Sequence, residues 1–258
     1  MTRHAGWRRV CGCVLIALLV SAAPSLGAKR KRAKLYDCDG KLAKAVERYD
    51  RGWYGDARTV LEEVLTNCGG ASSIDTAVYY LGMSMLRAGQ TVEAKGQFRR
   101  LADNYQSSAF AEEATFRQGQ CSFLSSNTYD RDQSETQDAI RELSAFLQTS
   151  TQTVWLDSAR EYIDKCRDKL ARREFMNARF YDRIDKYDAS VVYYRSLIAD
   201  YPSSKYVPEA QVNLALALAR TDRVTEARAV AKQVLDGDYS EEIKRRARLV
   251  LARIEAGE

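Results

Sequence analysis

Apolar positions along this chain recur at three- and four-residue spacing, in stretches of helical length separated by short polar or glycine-containing turns. The clearest stretch is Arg173–Pro202, which reads as two amphipathic helices with a turn at Asp185–Lys186 and a Tyr-Pro stop. Ala178 and Ser190, twelve residues apart, are the small residues at which such a pair would approach closely. The same spacing recurs at Ala45/Ala57, Gly82/Ala94 and Ala215/Ala227, and a wider pair stands at Gly119/Ala139. The first member of each pair falls at 45, 82, 119, 178 and 215, giving steps of 37, 37, 59 and 37. A fixed step of this size is the signature of a helical repeat array.

The tetratricopeptide pattern fits best, most fully at Leu81, Gly82, Ala94 and Phe98. The expected fold is therefore all-α, a tetratricopeptide-repeat superhelix of about five helical hairpins. The repeats are placed at about 38–70, 73–106, 110–150, 155–202 and 206–236, with a capping helix at 241–256, the domain running over 38–257. Gly52 and Gly89 are read as turn residues, Ser72 or Ser73 as a helix cap, and Pro208 as a first-turn proline. The polar run Ser125–Glu135 reads as a loop inserted in the third hairpin. From Trp155 to Ile184 neither Pro nor Gly appears, which predicts one long helix whose second half opens the fourth hairpin.

Charge is unevenly placed. The formal balance of +5 comes from Arg3, Arg8 and Arg9 and from the segment Lys29–Lys34, while the repeats are close to neutral, so no nucleic-acid footprint is expected. Residues 1–28 combine that basic start with the apolar run Val14–Val20 and small residues up to Ala28, the layout of a signal peptide cleaved near Gly27 or Ala28. The segment 29–37 is expected as a basic disordered tether, or else as a patch for peripheral contact with an anionic membrane surface. The one histidine is His4, in the leader. A mature chain without histidine has no Ser-His-Asp or Cys-His nucleophile system and no histidine-ligated metal. No catalytic residue, metal, cofactor or small-molecule substrate is expected.

Four cysteines lie beyond the leader. Cys38 opens the first helix of hairpin one and Cys68 closes the second, so the two ends meet in an antiparallel pair and a Cys38–Cys68 disulfide is expected. Cys121 and Cys166 sit inside helices and read as buried free thiols, their pairing being the alternative. In such arrays the first helices line a groove. The repeat register assigns Tyr49, Tyr79, Met83, Arg87, Phe116, Gln120, Phe123, Phe175 and Arg179 to it. Aromatic and Met side chains with a few Arg suit a peptide, offering apolar area and carboxylate pairing.

The insert Tyr129-Asp130-Arg131-Asp132-Gln133 leading into Ala139–Phe146, together with Leu170–Pro202, resembles the BamD family of the outer-membrane β-barrel assembly machinery. The resemblance covers Leu42–Leu235. It implies a non-enzymatic periplasmic scaffold, peripheral to the outer membrane. Such a scaffold would bind the periplasmic domains of the β-barrel insertase through C-terminal repeats and unfolded outer-membrane proteins through N-terminal ones. One departure is that Cys11 and Cys13 precede the apolar run and Cys38 lies well beyond it, so no lipobox follows that run. The alternative is another periplasmic tetratricopeptide adaptor, the cell-division coordinator associated with the Tol-Pal system, which shares Tyr-Pro-x-Ser stretches like Tyr201–Ser204.

Overall fold

The computed structural model describes residues 36–151 and 153–256. The expected signal peptide at 1–28, and the tether at 29–37 up to residue 35, lie outside the described residues. Among the described residues eleven α-helices follow one another: α1 (Cys38–Asp50), α2 (Tyr54–Asn67), α3 (Ile74–Arg87), α4 (Thr91–Asn104), α5 (Ala111–Ser125), α6 (Ser134–Thr149), α7 (Leu156–Arg183), α8 (Tyr187–Asp200), α9 (Val207–Arg220), α10 (Val224–Asp236) and α11 (Glu241–Ala256). Each helix packs on the next, and α1 touches α3, α5 touches α7 and α9 touches α11. The architecture is an all-α tetratricopeptide-repeat array of five hairpins and a terminal helix.

The hairpins close at the small residues. Ala45, Ala57, Ala94, Ala139, Ala178, Ser190, Ala215 and Ala227 have no exposed surface, and Gly82 and Gly119 are buried with them. A methyl group added at Gly119 would meet Leu143 Cγ at 2.5 Å, and one at Gly82 would meet Phe98 Cε1 at 2.9 Å. Larger side chains therefore cannot stand at these points without pushing the partner helix away.

The turns within hairpins obey one rule. The second residue after the first helix has positive φ at Gly52 (80°), Gly89 (79°), Asp185 (56°) and Asp222 (57°). The following N–H then reaches back five residues, from Trp53 to Arg48, Gln90 to Met85, Lys186 to Tyr181 and Arg223 to Leu218, at 2.9 to 3.0 Å. That is a left-handed helix cap, which satisfies carbonyls the helix end leaves open. In the third hairpin the first helix is followed by Ser126, whose backbone is extended (φ −69°, ψ 139°), and the inserted loop begins there. Gln133 holds this loop by donating Nε2 to the carbonyls of Thr128 and Arg131.

Between hairpins the chain makes a second recurrent turn. Ser108 N bonds to the Tyr105 carbonyl and Ser204 N to the Tyr201 carbonyl, with Ala71 N bonding to the Cys68 carbonyl in the same register. Cys68 thus stands where later hairpins carry Tyr105 and Tyr201. It is disulfide-bonded to Cys38, with the Cα atoms 5.9 Å apart. The expected cap at Ser73 takes a different form: Ser73 Oγ donates to Asp39 Oδ1 at 3.2 Å, so it ties α3 to α1 and caps no N–H of its own helix.

Helix α7, 28 residues long, is the joint of the array. Its first half buries Ala159 and Ile163 against Phe116, Leu143 and Phe146. Its second half buries Ala171, Phe175 and Ala178 against α8 and α9. At 100° per residue the buried stripe moves by roughly a third of a turn between the halves. One rigid helix therefore joins the third hairpin to the fourth. Among the described residues no helix is long and apolar enough to cross a membrane.

Gly119→Ala should lower stability by roughly 1–3 kcal/mol through the clash with Leu143. Gly96→Ala, at an exposed helical position with open space around it, should raise stability by about 0.5–1 kcal/mol. Urea unfolding of the two variants measures this, and equal gains from both would contradict the close approach. Replacing Cys38 and Cys68 together by Ser should cost about 3–4 kcal/mol, the loop-entropy value for a separation of 30 residues. Wild-type protein in reductant should then unfold at the same urea concentration as the double variant; an unshifted midpoint would remove the cross-link from the account.

Candidate functional site

The nine residues assigned to a groove divide into two groups. Tyr79, Phe116 and Phe175 occupy one register position of the first helices, and each meets an aromatic ring from the connection that follows its hairpin. Tyr79 stacks on Phe110 at 4.2 Å, Phe116 on Trp155 at 5.1 Å, and Phe175 lies against Tyr206 at 5.6 Å. Phe116 and Phe175 are only 1% and 5% exposed, and Met83 is 5% exposed within the N-terminal core. Met83, Phe116 and Phe175 are therefore core residues, a correction to the groove assignment. The physical reason is that aromatic side chains of the connecting segments fold over the helix face that an open groove would use.

Tyr79 keeps part of its ring accessible, and burial together with the Glu113 carboxylate pushes its phenol pKa up. Tyr49 is half-buried, with its ring 5.5 Å from Tyr54 and 5.3 Å from Tyr80, and Arg87 is exposed. Gln120 donates Nε2 to Tyr162 Oη at 2.7 Å and accepts from Arg117 at 2.8 Å. Phe123 packs on Tyr162 at 5.2 Å. Arg179 is exposed and stands 3.9 Å from Glu209, a carboxylate it shares with Arg246 at 3.3 Å.

These residues do not form one continuous patch. Tyr49, Tyr79 and Arg87 belong to the first two hairpins, where Tyr80 and Phe110 complete a ladder of rings. Beside it a cavity of about 770 Å³ opens, with Leu42, Val46, Tyr80 and Phe110 as apolar lining and Asp39, Glu47 and Asp50 as carboxylates. Gln120 and Phe123 belong to the third hairpin, around Tyr162. At this N-terminal opening Arg51 is paired with Glu47 at 2.6 Å.

Tyr80, Phe110, Trp155 and Tyr162 were missed by sequence reasoning. Tyr80 adjoins Tyr79 in a doublet that the helical period splits between two faces. Trp155 and Tyr162 stand in the extra residues before the fourth repeat, where the register gives no guide. Arg117 is a further case, its guanidinium 4.6 Å from the Trp155 ring centroid and paired with Glu113 at 2.7 Å.

Among the described residues no group of His, Cys, Asp and Glu could hold a metal ion. Cys121 and Cys166 are free and buried. Burial pushes their thiols up to about 12 and about 11, which keeps them protonated and unreactive at neutral pH.

The family model YfiO, described as outer membrane lipoprotein, matches residues 36–234. The chain belongs to the YfiO family. That match runs from α1 into α10 and takes in both the inserted loop and α7, the two departures from a regular array. A curated relative, the outer membrane protein assembly factor BamD of Caulobacter vibrioides, is 24% identical over 205 residues, which is 78% of this chain and 67% of the relative. Among solved structures, the TPR2AB domain of yeast Sti1 in its complex with pHSP90 is 14% identical with a TM-score of 0.44, over 85% of this chain and 83% of that one. The TPR domain of P58(IPK) is 13% identical with a TM-score of 0.42, over 85% and 60%.

Phe116→Ala should destabilise the array by roughly 3–5 kcal/mol, as expected of a buried ring. Arg87→Ala should stay within about 0.5 kcal/mol of wild type. Denaturant titration separates the two, and a Phe116→Ala protein as stable as its parent would return that ring to the list of contact residues.

Proposed function

We propose that this chain is a non-enzymatic periplasmic scaffold for assembling β-barrel proteins of the outer membrane, held peripherally at that membrane. The observation that carries the reading is the family match across residues 36–234, because it includes the inserted loop and α7 as well as the repeats. A relative named for outer membrane protein assembly supports the same role.

The arrangement suits a scaffold physically. A stack of hairpins joined by a rigid 28-residue helix holds two separated surfaces in fixed relation, with no chemistry between them. In this reading the C-terminal repeats bind periplasmic domains of the β-barrel insertase, and the N-terminal opening receives segments of unfolded outer-membrane proteins. The apolar lining there, edged by Asp39, Glu47 and Asp50, suits an apolar segment carrying a basic residue more than an acidic one. The leader at 1–28 delivers the chain to the periplasm.

Affinity purification of the full chain after mild in-cell cross-linking tests this. An outer-membrane β-barrel insertase should be recovered in near-stoichiometric amount. Recovery of Tol-Pal components in its place would overturn the reading in favour of the cell-division adaptor.

A further inference from the structure

The loop inserted in the third hairpin, the middle of α7 and the turn between α8 and α9 line an open cavity of about 600 Å³. Its charged lining is Lys169, Arg172 and Lys205 against Asp130 and Asp168. The two carboxylates are already engaged. Asp168 accepts from Ser204 Oγ at 2.6 Å and Lys205 N at 3.2 Å, with Lys205 Nζ at 3.8 Å. Asp130 accepts from Thr128 Oγ1 at 2.5 Å.

The other two cations rest on neutral groups. Lys169 Nζ donates to Ser126 Oγ and lies 5.0 Å from the Phe123 ring centroid. The Arg172 guanidinium lies 4.2 Å from the Tyr129 ring centroid. Among the described residues neither is in an ion pair within 4.0 Å. A cation over a ring keeps its N–H edge available, and a planar guanidinium so held suits a carboxylate or phosphate oxygen pair. Burial pushes the Lys169 ammonium pKa down, a cost that a bound anion would offset.

We propose that this cavity is a docking site for a carboxylate side chain on an acidic segment of a partner protein, gripped by Lys169 and Arg172. Charge complementarity selects that occupant. Three cations against two fixed carboxylates leave one excess positive charge, enough for one carboxylate. A dense polyanion or an anionic bilayer would meet Asp130 and Asp168 as well as the cations, and a concave site on three segments does not fit a flat surface. The proposal does not depend on which assembly partner the array serves.

Zero-length carbodiimide coupling tests it, since an activated carboxylate forms an amide fastest with the amine it is held against. The purified full chain is treated with the blocked peptide acetyl-Gly-Glu-Glu-Gly-amide and the adducts are mapped by mass spectrometry. Lys169 should couple roughly tenfold faster than the exposed Lys186 and Lys232. Arg172→Gln should cut coupling at Lys169 by about tenfold, with the melting temperature unchanged because Arg172 is exposed. Coupling at Lys169 no faster than at Lys186, or unaffected by Arg172→Gln, overturns the site. So does protection of Lys169 by phosphatidylglycerol vesicles but not phosphatidylcholine ones, or by inorganic phosphate more strongly than by the peptide.

Discussion

Every hairpin of this array depends on a contact between two helices that leaves room for a hydrogen or a methyl group and little else. At Gly119 the Leu143 side chain occupies the space where a Cβ would stand, and at Gly82 the Phe98 ring does the same. Bringing the backbones this close lets the flanking Leu, Val and aromatic side chains interdigitate to interior packing density. Because each hairpin cannot cover its own apolar face, the next hairpin must supply the cover, and the core becomes a stripe running along the array. The disulfide at Cys38–Cys68 closes the first described hairpin at the register point where the second and fourth carry Tyr105 and Tyr201.

The irregularities fall where the array changes direction of packing. The left-handed cap used by four hairpins is replaced at Ser126 by an extended backbone and a loop held by Gln133. Helix α7 then carries one buried face toward the third hairpin and another toward the fourth. The loop, the helix and the α8–α9 turn leave a cavity where Lys169 rests on Ser126 and Arg172 on the Tyr129 ring. Structural departure and the candidate docking site thus meet in one region.

Much of the fold was legible because its determinants are local. Small residues at 45, 82, 119, 178 and 215 set the hairpins, and the absence of Pro and Gly across Trp155–Ile184 set the long helix. The groove was less legible. Counting a helical register identifies which side of α5 Phe116 occupies, but the cover over that side comes from Trp155, some forty residues on and outside the repeat. Phe175 was misassigned for the same reason, its cover being Tyr206. The Ser73 side chain likewise chose Asp39 on α1 over its own helix end, a tertiary choice that local capping rules do not contain.

Depletion of this chain from its host, followed by quantifying folded β-barrel proteins in the outer membrane, tests the scaffold role most directly. The account predicts that folded barrels fall while their unfolded forms accumulate in the periplasm, and that the restored chain reverses both. Unchanged barrel levels under full depletion would contradict it.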